Sequence, residues 1–280
     1  MYTQLRFALD AIRAQADDHP EWRDTQPFKA VLEDDREAIA SMDMHDLMTL
    51  LLASHAHMTS DEFRELVSQW LASARHPRFD RPYTELVYQP MLELLDLLRA
   101  NDFRVFIVTG GGIEFVRVLA PAVYGIPENQ VIGSSLKTKY DVRDGRGVIE
   151  RLPEIGFIDD GPGKPVGINA HIGRRPAAAF GNSDGDLEML EYGEGRLGPF
   201  LGMLVHHDDA EREYAYDREG SIGKLDRGFA MARANGWILI SMRDDWNRIF
   251  PWSESTAPGV PASARPSQRA PVGAGSGGGS

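Results

Sequence analysis

The 280 residues carry 42% apolar and 26% charged side chains, close to ordinary folded-domain usage. Forty-two acidic against thirty basic groups leave a formal charge of −12, which repels phosphate backbones and anionic lipid and argues against nucleic-acid and membrane-surface partners. With zero cysteines, disulfides, thiolate metal sites and cysteine nucleophiles are excluded.

The chain opens as a helix already under way, with Tyr2, Leu5, Leu9 and Ile12 on one face. That start lacks the basic and apolar segments of a secretion signal, so the chain as written is expected in the cytoplasm; the periplasm is the alternative if a leader has been lost. Helical patterning continues to about residue 88. Thr59 and Glu62 form a capping box, followed by an apolar stripe of Phe63, Leu66, Val67, Trp70 and Leu71. A further helix carries Met91, Leu94, Leu95 and Leu98.

At Phe103 the texture changes. A short β-rich run, Phe103 to Val108, leads to Thr109 and three glycines, then a helical pattern from Ile113 to about Tyr124. Strand and helix patterns alternate thereafter: Pro176 to Phe180 then Leu187 to Leu190, and Phe200 to His206 then Ile222 to Ala234. Trp237 to Met242 reads as a last strand. Val131 to Asp141 and Gly147 to Leu152 flank Asp144-Gly145, the mark of a β-hairpin. The expected architecture is α/β, a Rossmann-like parallel sheet with a small hairpin and an N-terminal helical cap. The boundaries read as 1–88 for the cap, 89–250 for the core and 251–280 for a flexible tail, where 17 of 30 residues are Pro, Gly or Ser.

Ligands of open α/β sheets collect beyond the carboxyl ends of the strands, and chemistry-bearing groups fall at such ends here. Thr109 ends a strand, and Gly110 to Gly112 let backbone N–H groups approach an anion at a helix start. Lys164 sits beside Pro165 in a helical first turn, an unfavourable place for a cation unless an anion binds there. Asn182, Ser183, Asp184 and Asp186 follow a strand end, oxygen donors suited to a hard cation such as Mg²⁺; Ser183 or Asp184 also reads as a helix cap.

In this order the motifs resemble the haloacid dehalogenase-like hydrolase superfamily, especially its phosphoserine-phosphatase-like branch. The resemblance implies a magnesium-dependent phosphatase for small phosphomonoesters, working through a phosphoaspartyl intermediate. It assigns catalytic roles to Thr109 and Lys164, substrate binding to Gly110 and Gly111, and magnesium to Asn182 and Asp186. Asn182 stands where the family places an aspartate, which weakens a cation site. The family's Asp-x-Asp-Gly-Thr type nucleophile motif is missing, so the expectation is an N-terminally shortened chain, with impaired catalysis. The alternative is an inactive fragment or a non-catalytic phosphate-binding protein.

Other candidates read more weakly. Phe79-Asp80-Arg81-Pro82 has proline where the acid–base carboxylate belongs, and Asp159-Asp160 fits a strand-to-loop segment. His206 and His207 point to opposite faces of a strand, which opposes a shared ion. A dinucleotide fold fails because Thr109-Gly110-Gly111-Gly112-Ile113-Glu114 lacks the third glycine of that fingerprint.

Overall fold

The 3- and 4-residue spacing at the N-terminus resolves into helices, because each must bury one apolar stripe. The computed structural model describes residues 3–42, 44–55, 57–218 and 223–255. Helix α1 (Thr3–Gln15) buries Phe7, Leu9 and Ile12; α2 (Phe28–Leu32) and α3 (Arg36–Ala40) follow. Then come α4 (Met44–His55) and α5 (Ser60–Ser73). The capping box is formed in full: Thr59 Oγ1 accepts from the Glu62 amide at 3.1 Å, and Glu62 Oε2 accepts from the Thr59 amide at 2.7 Å. A ribbon of β1 (Arg75–His76) and β2 (Arg81–Pro82) leads to α6 (Gln89–Ala100).

The first sheet begins with β3 (Ile107–Gly112), four residues later than the apolar run implies. Phe103 instead turns the chain out of α6, its amide donating to the Leu98 carbonyl at 3.0 Å. Only from Ile107 does the backbone meet a parallel partner, at the start of β4 (Val131–Arg143). Beyond Ser134 the same strand bends through irregular pairing and continues antiparallel to β5 (Arg146–Phe157). The hairpin is therefore an outgrowth of a sheet strand. Asp144 (φ 52°) and Gly145 (φ 75°) both take the left-handed region, as a two-residue turn matching strand twist requires.

The remaining elements are α7 (Ile113–Tyr124), α8 (Gly163–Ile172), β6 (Ala178–Gly181), α9 (Leu187–Glu194), β7 (Leu201–His206), α10 (Arg227–Asn235), β8 (Ile238–Ser241) and α11 (Met242–Asp245). The helix expected from Ile222 begins at Arg227, and Ile222 itself lies outside the described residues, as do Tyr2 and residues 256–280 of the expected tail. Strands β6, β7 and β8 pair in parallel in that order. The fold is thus mixed α/β, with parallel sheets and a small antiparallel hairpin.

Two buried clusters tie it together. Ile132, Ile168, Ala179, Leu187 and Leu204 pack strands of both sheets against α8 and α9. Phe7, Phe63 and Phe115 share a second cluster with Val205, Met242 and Phe250, so the N-terminal helices and the α/β layers exclude water jointly. Each such side chain contributes about 1.5–3 kcal/mol by burial. No helix among the described residues is long and apolar enough to cross a membrane.

Candidate active site

The strand ends of β3 and β6 both point their following loops at the first turn of α8. Lys164, in that turn, is 4% exposed. Its Nζ lies 2.8 Å from Asp186 Oδ1 and donates to the Val108 carbonyl at 3.0 Å. An ammonium in the interior needs such partners, because burial removes its hydration. One side chain thereby joins the residue before Thr109 to the loop after β6.

That loop is organised by Asp186. Its Oδ2 accepts from the amides of Asn182 (2.9 Å) and Ser183 (3.0 Å) and from Ser183 Oγ (3.2 Å). The acidic side chain thus folds back over the strand end, and Gly181 is required there because a Cβ would collide with the Asp186 carboxylate. Asp184 faces the other way. Its carboxylate accepts from the amides of Asp226 (3.0 Å), Arg227 (3.2 Å) and Gly228 (2.9 Å), so it caps α10 instead of its own helix.

Thr109 Oγ1 accepts from the Gly111 amide at 3.0 Å, leaving its own proton to donate outward. The Gly112 amide is held by Gln4 Oε1 at 2.7 Å, and the Gly110 carbonyl by Ser134 Oγ at 2.8 Å. The glycine run is therefore already threaded by hydrogen bonds from α1 and β4. Thr109, Lys164, Asn182 and Asp186 are brought to one end of the sheets, with Gly110 and Gly111 alongside.

Two carboxylates complete the surroundings. Asp160 is exposed and lies against Gly110 and Gly185; a Cβ on Gly185 would strike its carboxylate. Asp159 is fully buried, and neither carboxylate oxygen completes a hydrogen bond among the described residues. Burial pushes its carboxyl up to about 6, against the pull of the Lys164 ammonium. The sequence offers only adjacency for these two residues; the turn that carries Asp159 inward and Asp160 outward is a product of packing.

The weaker candidates resolve as packing. His207 is buried 3.3 Å from Glu213 and stacked on Tyr216, whereas His206 faces Asp208 and Asp217, each at 3.6 Å. Asp80 pairs with Arg75 at the surface.

Residues 9–191 match the model of the haloacid dehalogenase-like hydrolase family. No curated protein matches the chain. Among solved structures it is similar to a protein with unknown function from Bordetella pertussis Tohama I, with 14% identity over 84% of this chain and 91% of that one and a TM-score of 0.49. A phosphoserine phosphohydrolase-like protein from Francisella tularensis subsp. tularensis SCHU S4 is 15% identical over 81% and 91% of the two chains, with a TM-score of 0.41. A HAD family hydrolase from Salmonella enterica subsp. enterica serovar Typhi is 16% identical over 74% and 60%, with a TM-score of 0.37.

Proposed function

The chain belongs to the haloacid dehalogenase-like hydrolase family, and from that premise we propose that its site serves a magnesium-dependent phosphatase of small phosphomonoesters. The observation that carries the reading is Lys164, a buried cation held beside Thr109 and Asp186 by main-chain and carboxylate oxygens. In this reading the Thr109 hydroxyl donates to a phosphoryl oxygen, and Lys164 balances its charge. Gly110 and Gly111 form the wall against which the phosphoryl group lies.

Asn182 and Asp186 are the proposed magnesium ligands. Three donors already fill Asp186 Oδ2, so the fit rests on Oδ1, shared with Lys164, and on the neutral Asn182 carboxamide. That set suits a hard cation weakly. When bound, the ion supplies charge neutralisation for the phosphoryl oxygens.

The Asp-x-Asp-Gly-Thr type sequence does not occur in the 280 residues. In this reading the residues named bind and orient the phosphoryl group, and none of them is assigned as the nucleophile. That missing sequence also supports a second reading, phosphate binding without turnover.

The test pairs calorimetric binding of inorganic phosphate with hydrolysis of p-nitrophenyl phosphate, with and without magnesium. Phosphate is expected to bind, to bind at least tenfold more weakly to Lys164→Met, and hydrolysis is expected to be negligible. Robust magnesium-dependent hydrolysis would mean that the nucleophile lies within these residues. Failure to bind phosphate would remove the reading altogether.

A further inference from the structure

The carboxylates around the proposed site differ in what already occupies them. Asp184 accepts from three amides at the start of α10. Asp186 takes three donors on Oδ2 and the Lys164 ammonium on Oδ1. Asp159 is fully buried, and Glu188 faces Arg227 at 3.9 Å. Asp160 is different. It is exposed, and its carboxylate makes no hydrogen bond or ion pair among the described residues.

Its backbone is nevertheless pinned. The Gly161 amide donates to the Gly185 carbonyl at 3.0 Å and the Gly163 amide to the Asp160 carbonyl at 2.9 Å, which fastens this turn to the loop after β6. Asp160 Oδ1 comes within 3.5 Å of the position a Cβ on Gly110 would take, and Gly185 has no room for a Cβ beside the same oxygen. The free carboxylate therefore lies between the glycines of β3 and the loop after β6, over the residue proposed as the phosphoryl wall.

That wall is short of donors. The Gly111 amide is engaged by Thr109 Oγ1 and the Gly112 amide by Gln4 Oε1. Lys164 already serves the Val108 carbonyl and Asp186, so one of its N–H groups is left, beside the Thr109 hydroxyl proton. A fully ionised tetrahedral anion such as sulfate brings acceptors alone, and it meets Asp160 as a bare like charge. A phosphoryl group that keeps a proton can donate it to Asp160, which turns the repulsion into a charge-assisted hydrogen bond.

We infer that Asp160 is a specificity-determining residue that accepts the proton of a protonated phosphoryl oxygen and so selects phosphate and phosphonate over sulfate and sulfonate. The inference rests on the phosphatase reading and names the ionic form of ligand that the same site takes.

Calorimetric titration of the 280-residue chain in magnesium buffer near neutral pH tests it with two matched pairs, inorganic phosphate against sulfate and methylphosphonate against methanesulfonate. The phosphorus ligand of each pair is expected to bind about tenfold more tightly or better, the scale of one hydrogen bond to a charged group. Asp160→Asn keeps the shape, removes the charge and offers an N–H in its place, so the sulfur ligands should gain and each ratio should fall to within about threefold. Asp160→Ser, which also removes the charge, should narrow the ratios likewise. Sulfate binding as tightly as phosphate to the unmodified chain would overturn the inference and leave the phosphatase reading standing. A phosphate preference unchanged in both folded variants would overturn the role of Asp160. Failure of the unmodified chain to bind phosphate would instead strike the reading beneath, and the inference with it.

Discussion

Lys164 and Asp186 meet at 2.8 Å with side chains 6% and 9% exposed, so each is the other's compensation for lost hydration. They come from different helix starts, 22 positions apart in the numbering. Their pairing draws the α8 first turn onto the loop after β6, and the added bond to Val108 carries the same cation to β3.

Lys164→Met is therefore expected to destabilise the fold by about 3–5 kcal/mol, because Asp186 would remain buried and charged without its ammonium. Urea denaturation measures the loss. The double variant Lys164→Met/Asp186→Asn should recover part of it, and an equal loss in the double variant would show that the pair is not coupled.

Asp159 makes stability fall with rising pH. Its carboxyl titrates at about 6 in the fold and at 3.8 ordinarily, so the folded state holds the proton more tightly in that window. Stability should drop as pH rises from 3.8 to 6, by roughly 1–3 kcal/mol. In chelator, Asp159→Asn should abolish that slope; an unaltered pH profile would contradict it.

His55 acts in the opposite sense. Burial and the nearby Arg151 charge lower its imidazole to about 3 from an ordinary 6.5, so the unfolded chain takes up the proton first on acidification. Stability should fall as pH drops from 6.5 towards 3, by up to about 4–5 kcal/mol. His55→Phe should flatten this limb. The two contributions oppose each other between pH 4 and 6, and the single variants separate them.

Asp184→Ala removes the acceptor for three amides at the start of α10. The expected cost is about 1–2 kcal/mol. Hydrogen exchange should show faster exchange at Asp226, Arg227 and Gly228, whereas protection unchanged there would mean another group caps the helix.

Some of the site was legible because its chemistry is local. Lys164 before Pro165 and the Asn182 to Asp186 loop announce a helix start and a strand end by residue type and spacing alone, whereas Thr109, read as a strand end, lies inside β3, which runs on through the glycines to Gly112. Asp184 reads as a cap for the same reason, but which helix it caps depends on a contact more than forty positions away. Asp159 and Asp160 read alike as a strand-to-loop pair because adjacent aspartates are equivalent in one dimension, and only the turn into α8 buries one and exposes the other. His55 reads from its helix as a surface or core histidine without a sequence partner, and its deep burial depends on Arg151 of the hairpin lying beside it.

Residue order alone carries whatever repeats at short range: the helical stripes, the Thr59–Glu62 box, the Asp144-Gly145 turn, the alternation of strands and helices and the order of the family motifs. Periodicity, capping and turn geometry act over a few residues, so they survive in the linear text. Tertiary structure decided the start of β3, the two-way pairing of β4 and the Lys164–Asp186 pair. Those depend on which distant surfaces exclude water together, and burial energy acts on area brought into contact without regard to separation along the chain.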